Sequence, residues 1–280
     1  MELEVLISAM NIKNEQEHQE LIKKSKIKTK SLLINQITKE DIEPFNVLEG
    51  EHRLLSFREK GLSKSRNKAV ANSVGDIAII CDDDIIYVDN YESIIKEAYE
   101  KNPDADIISF YIESQNPERP TRHVENGIVD FNKSLKICSC NITFKIDSLR
   151  KSGIKFNEMF GAGSDYYMGE ENILLANALE KGLKIMSVDT KIADVLHEES
   201  TWYGTFDRKY FHIRGAVYYE LSRKYYKDLI YDFAERKKAL YEQNLTYEEA
   251  INTMLEGAND YIKLMANKNG EEEWIRLFFR

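Results

Sequence analysis

Apolar and polar residues alternate in blocks along the first two-thirds of the chain, and the blocks predict elements. Residues 3–9 read as a short buried strand, residues 31–35 (SLLIN) as the next, RLLSF after His52 as a third, and residues 76–81 as a fourth. The polar, amphipathic stretch 15–24 separates the first two. GLSKSRNKAVANS has the composition of a helix start, with Gly61 in the turn and Ser63 as N-cap. Asp89 is placed to cap a helix running through Glu100, with Ile94, Ile95 and Ala98 on one side. Residues 107–112 return to a strand pattern. Strands alternating with helical stretches predict an α/β fold with a mixed, mostly parallel sheet flanked by helices.

The middle of the chain changes texture. Residues 117–127 form a polar loop, 135–144 read as a strand, and FGAGSDYYMG (160–169) reads as a mobile loop rich in glycine and aromatics. A helix opens near Glu170 and closes at Gly182, and residues 183–188 and 193–196 read as short strands. From about residue 206 the pattern is helical to the end. Thr246 and Glu249 make a capping box, followed by Ile251, Met254, Leu255, Ala258, Ile262 and Met265 at helical spacing. The expected organisation is one α/β domain over 1–205 with a C-terminal helical extension over 206–280.

Composition narrows the classes. The 280 residues are 42% apolar and carry a net charge of −9, which argues against a nucleic-acid partner, since that needs a basic face. Cys81, Cys138 and Cys140 make no metal-ligand pattern and read as free thiols of a reducing cytoplasm, the latter two alternating along a strand. The N-terminus lacks a basic leader, and no apolar run approaches the roughly 20 residues of a membrane span. A cytoplasmic protein is expected, peripheral at the inner face of the membrane if it touches lipid. RKYYKDLIYDF (223–233) and WIRLFFR (274–280), which mix cations with aromatics, are the stretches suited to such contact through the C-terminal helices; helix packing is the plainer reading.

The chemistry concentrates in IAIICDDDII (77–86). An apolar strand runs into Asp82, Asp83 and Asp84, with no neighbouring cation in sequence to relieve their repulsion. Hard oxygen donors outside the carboxyl end of a parallel strand suit Mg²⁺ or Mn²⁺ holding a substrate diphosphate. A solvated acidic turn explains the triplet alone equally well.

Context separates the two. Gly61, Leu62, Ser63, Ser65, Arg66 and Asn67 precede a helix, after which a strand delivers the aspartates. GEENILLANALEKGLKI follows a glycine-rich loop, and VLHEES brings His197 to the end of a later strand. In this order the pieces resemble the nucleotide-sugar glycosyltransferases of family 2, over roughly residues 3–200. The resemblance implies a GT-A (Rossmann-like) fold, a nucleotide-sugar donor, most simply a UDP-sugar, and a saccharide or lipid-linked saccharide acceptor.

Residue by residue, the resemblance makes Asp84 the last aspartate of a DXD metal motif and Asp82 the first, with Asp83 between them and without an assigned role. His197 becomes a further metal ligand. Arg66 belongs near the nucleotide or diphosphate, and Ala9 and Met10 near the base. Asn35 stands where many members carry an aspartate. Glu171 becomes the base of an inverting transfer, with Glu170 as its partner orienting the acceptor. Two other classes remain: a nucleotidyltransferase, which would favour a glycine-rich phosphate loop that SAMNIKNEQ does not offer, and a sugar-nucleotide-binding protein without catalysis.

Overall fold

The first strand is buried on both faces, and each face has its own core. The computed structural model describes residues 1–117, 119–196 and 206–278, with 268–278 by backbone alone. The chain divides into two units, Met1–Ser164 with Glu170–Ser200, and Asp165–Gly169 with Thr201–Arg280. The first unit runs β1 (Leu3–Met10), α1 (Glu15–Lys24), β2 (Lys30–Gln36), β3 (His52–Phe57), α2 (Leu62–Asn72), β4 (Ile77–Cys81), β5 (Ile85–Tyr87), α3 (Tyr91–Lys101), β6 (Ile107–Ser114), β7 (Gly127–Ile128), α4 (Phe131–Ser134), a 3₁₀ turn (Ser139–Asn141), β8 (Ile142–Lys145), α5 (Ile146–Ser152), α6 (Glu170–Glu180) and β9 (Ile185–Val195).

Among the described residues the strands form one nine-stranded sheet in the order β3-β2-β1-β4-β8-β6-β9-β5, with β7 also on β9. The β3-β2-β1-β4 half is parallel, β8 is antiparallel to both its neighbours, and β6 and β9 are parallel. Leu3, Val5 and Ile7 of β1 join Ile77, Ile79 and Cys81 of β4 under α1 and α3. Leu6, Ala78 and Ile80 face the other way, into a core with Ala69 of α2, Leu149 of α5 and Leu174, Leu175 and Ala178 of α6. Period-2 side-chain alternation feeding two helical layers is the physical reason the strand sequences are almost continuously apolar.

Four local expectations are corrected. Ser63 does not cap α2: Gly61 holds the N-cap position at φ +129, and the Ser63 hydroxyl donates to the Phe160 carbonyl at 2.6 Å. Asn90, not Asp89, precedes α3, and the Asp89 carboxylate pairs with Lys28 at 2.8 Å. Residues 135–144 are not a strand throughout. Asn141 accepts from the Cys138 N–H and donates to the Phe110 carbonyl, closing a 3₁₀ turn before β8 and lifting both cysteines out of any strand. The two short strands expected after Gly182 are one, β9, whose pairing with β6 shifts register around Tyr111.

The second unit carries α7 (Arg208–Leu221), α8 (Tyr226–Arg236), a 3₁₀ turn (Lys238–Leu240) and α9 (Tyr247–Phe278). The Thr246–Glu249 capping box forms as read, with the Glu249 N–H donating to Thr246 Oγ1 and the Thr246 N–H to Glu249 Oε2. α7 and α9 cross backbone to backbone: a Cβ on Gly215 would lie 1.8 Å from the Met254 carbonyl oxygen, and one on Gly257 1.8 Å from that of His212. The loop residues grouped with these helices pack on them. Tyr166 sits edge-on to Tyr261 at 5.3 Å, and a Cβ on Gly169 would fall 2.7 Å from Val217. No helix among the described residues is long and apolar enough to cross a membrane.

His18 of α1 is fully buried, and neither ring nitrogen has a hydrogen-bond partner among the described residues. Burial, reinforced by His52, pushes it down to about 4. The folded state therefore holds His18 neutral where the unfolded chain protonates it near 6.5, so the unfolded state binds more protons in that window. Stability is expected to be complete above about pH 6.5 and to fall as the pH drops towards 4. Melting temperatures followed across that range should decline in the wild type and decline less in His18→Leu; identical profiles would refute the assignment.

Candidate functional site

The chain lays β3, β2 and β1 side by side and then crosses to place β4 on the other side of β1. That reversal opens a crevice outside the carboxyl ends of β1 and β4, where open α/β sheets bind ligands. At the end of β1, Ala9 is buried and Met10 is exposed. Asn11 follows in the left-handed region at φ +59, its amide oxygen accepting from the Thr38 N–H. Asn35, opposite Ala9 in the register, is fully buried. Its side chain accepts from the Ile12 N–H and donates to the Ile12 carbonyl, both at 2.9 Å, and also donates to Ser56 Oγ. An amide used in this way fixes the loop after β1 through its backbone.

The three aspartates form the turn from β4 to β5. β4 lies beside β1, whereas β5 lies at the far edge on β9, so the turn carries the chain from the middle of the sheet to its edge. The Asp84 carbonyl accepts from the Leu196 N–H, Asp83 is exposed, and Asp84 is half-buried. Asp82 is engaged at both oxygens: Oδ1 accepts from Arg66 Nη2 at 3.1 Å and Oδ2 from the Cys140 thiol at 3.2 Å. Burial, with Asp82 next, pushes the Cys140 thiol well above its ordinary range, which makes it a neutral S–H donor rather than a nucleophile.

Arg66 is the centre of the arrangement. It projects from α2, is 1% exposed, and gives its other terminal nitrogen to Glu170 Oε1 at 2.8 Å. One guanidinium thus joins the aspartate turn to the first residue of α6. Burial alone would weaken its charge, but Asp82 and Glu170 outweigh that and hold it above the usual arginine range. Phe156 lies 5.6 Å from the guanidinium carbon, and Asn67 fixes Phe156 by accepting from its N–H and donating to its carbonyl. The N-terminal end of α2 is tied down at Leu62, whose N–H donates to the Ala162 carbonyl. Gly161 at φ +101 lets that loop pass, since a Cβ there would come 3.1 Å from both Glu170 Cδ and Ser63 Oγ.

Glu170 and Glu171 open α6, where a helix N-terminus favours negative charge. Glu170 is 6% exposed and bound to Arg66; Glu171 is only half-buried. Asn172 donates to the carbonyls of Ser134 and Ile137 and pins this first turn. His197 lies outside the described residues. Among the described residues no three His, Cys, Asp or Glu side chains converge into a cage. The carboxylates of Asp83 and Asp84 have the hard-oxygen chemistry for a Mg²⁺ or Mn²⁺ held by one or two carboxylates with substrate phosphates, a mode that needs no such cage.

The structure therefore brings Arg66, Asp82 and Glu170 into direct contact, sets Asp83, Asp84 and Glu171 beside them in sequence, and places Ala9, Met10 and Asn35 at the adjoining strand ends. Sequence reasoning gave no site role to Cys140, Asn67 or Phe156. Nothing local marks Cys140: its partner is 58 residues away, and its neighbours read as a strand.

Residues 36–157 match the model of glycosyl transferase family 2. No curated protein is matched by sequence. Among solved structures, residues 1–349 of S. aureus TarS in complex with UDP-GlcNAc superpose with a TM-score of 0.64 at 14% identity, over 94% of this chain and 81% of that one. The same fragment in complex with UDP gives 0.61 at 13% identity, over 92% and 81%. The longer TarS structure gives 0.59 at 12% identity, over 87% of this chain and 45% of that one. These likenesses show the fold, the GT-A α/β type.

A cation this buried between two carboxylates makes a stability prediction. Arg66→Ala strands two carboxylates and should cost about 3–5 kcal/mol in chemical denaturation. A double-mutant cycle with Glu170→Ala should give a coupling energy of about 1–3 kcal/mol. Simple additivity would show that the pair is not linked.

Proposed function

We propose that this chain, a family 2 glycosyltransferase by its matched segment and its GT-A fold, moves a hexose from a UDP-sugar to a hydroxyl of a saccharide or lipid-linked saccharide acceptor, with inversion. The observation that carries the reading is the single guanidinium of Arg66 bonded to both acidic elements, the Asp82 turn at a sheet switch point and the Glu170 helix start. The solved complexes of TarS with UDP-GlcNAc and UDP support a uridine nucleotide as donor.

In this reading the donor lies in the crevice past β1 and β4, its base against the backbone that Asn35 fixes at Ile12 and beside Ala9 and Met10. Asp84, with Asp83 beside it and His197 as a further ligand, would hold Mn²⁺ or Mg²⁺. The ion's chemistry when bound is to offset negative charge on the departing nucleoside diphosphate. Asp82 serves as the anchor that Arg66 and Cys140 keep in place. Glu171 takes the acceptor hydroxyl's proton as its oxygen bonds to the anomeric carbon from the face opposite the diphosphate, which leaves with the electron pair of the broken C–O bond. Glu170 is the less available of the two, because it is buried and its Oε1 already accepts from Arg66 Nη1 at 2.8 Å.

Contact with the membrane surface belongs to the same reading. Lys224, Tyr225, Lys227 and Tyr231 are exposed around the start of α8, a mixture suited to anionic head groups at the cytoplasmic face. The side chains of 274–280 lie outside the described residues.

Donor turnover tests the assignment without knowledge of the acceptor. UDP-sugar hydrolysis, with water standing in for the acceptor, should require a divalent ion and be lost in Asp84→Ala. Glu171→Gln should lower it by about 10²–10⁴-fold, with Glu170→Gln affecting stability more than rate. Hydrolysis unchanged in both Asp84→Ala and Glu171→Gln would exclude the mechanism, and no turnover at all would favour a sugar-nucleotide-binding protein.

A further inference from the structure

A second polar feature lies along residues 134–141, the segment that also carries Cys140 to Asp82 and receives Asn172 from α6. It is a cavity lined by Ser109 and Tyr111 of β6, Asn141, Asp189 of β9, and Arg122 and Lys136. Its enclosed volume is about 10 Å³, room for one oxygen atom.

Two observations say what it takes. First, the cations outnumber the anions. Asp189 is occupied by His123, whose ring nitrogen lies 2.9 Å from Oδ1 and whose ring stacks on Tyr111 at 4.0 Å. Arg122 and Lys136 are exposed at the rim, and neither forms an ion pair with a described residue. Second, the wall holds an orphan donor. Ser109 is 2% exposed and its hydroxyl has no partner among the described residues. Its neighbours do: Ser187, beside it in the β6–β9 register, donates to the Val124 carbonyl, and Asn141 bonds Cys138 and Phe110. A buried hydroxyl without an acceptor, under two uncompensated cations, is complementary to an oxyanion that inserts one oxygen and leaves the rest at the mouth.

We propose that this cavity is a phosphoryl-binding subsite and that the acceptor is a phosphorylated saccharide. The inference deepens the transferase reading and rests on it for the word acceptor; the anion site itself does not. Ser109 donates to the inserted oxygen. Arg122 supplies paired N–H donors matched to the phosphoryl edge, and Lys136 adds a point charge. A segment shared with Asp82 and α6 then fixes the acceptor's charged end relative to the hydroxyl that reacts.

The probes are glucose 6-phosphate, glucose and inorganic phosphate, titrated calorimetrically into the full chain at low ionic strength. Glucose 6-phosphate is expected to bind and glucose not. Arg122→Gln with Lys136→Gln should weaken binding by about tenfold or more, and Ser109→Ala should weaken it several-fold. Both cationic positions are exposed, so the paired variant should keep the wild-type melting temperature. Glucose 6-phosphate bound equally well by the paired variant would overturn the proposal. So would glucose binding as well as its phosphate, or no binding at all, which would leave the space to an internal water. Inorganic phosphate competing with glucose 6-phosphate would support it. Wild-type UDP-sugar hydrolysis, measured separately, decides the transferase reading by itself: sugar phosphate binding without hydrolysis would retain the anion site and remove the transferase.

Discussion

A guanidinium at 1% exposure, bonded on one side to Asp82 and on the other to Glu170, is the constraint around which the site is built. Burying a cation is costly unless it is paired, and here one cation satisfies two carboxylates that would otherwise repel their own neighbours. The repulsion among Asp82, Asp83 and Asp84 is thereby relieved in part from within the protein. Oxygens that bind Arg66 or Cys140 are held in place from within the protein. The supports of Arg66 are local and numerous: Phe156 against its face, Asn67 clamping Phe156, and Ser63 and Leu62 tying the start of α2 to residues 160–162.

Much of this was legible because it is local. Strand alternation and the SKSRN, CDDD and GEEN stretches read directly, since each depends on side chains near one another in sequence. What failed was choice among competing local partners. Ser63 and Asp89 have the chemistry of N-caps, but each found a distant partner, Phe160 and Lys28, and Gly61 and Asn90 took the positions before the helices. Residues 135–144 look extended because they are apolar and thiol-rich. The Asn141 side chain instead satisfies the backbone of its own turn and of β6, and no residue-type pattern announces that.

The site divides in the same way. The carboxylates were visible because acidic residues at strand and helix ends are chemically conspicuous. The contact that organises them was not, because Arg66 and Glu170 are 104 residues apart and meet only when α2 and α6 share a layer on the sheet. Asn35 shows the opposite case. Its position suggested base recognition, whereas its amide closes on Ile12 and Ser56, so its influence on any nucleotide passes through the loop backbone.

The five residues Asp165–Gly169 belong with the C-terminal helices, although 111 residues of chain end at Arg280 beyond them and Glu170 resumes the first unit at once. Their packing partners, Val217 and Tyr261, are made later by the ribosome than anything in the sheet. The loop that leads into the acidic helix therefore gains these contacts only after α7 and α9 have been made. Neither unit is a contiguous stretch of the gene, so a shuffled or truncated coding sequence cut near residue 205 would carry the acidic helix away from the helices that seat the residues before it.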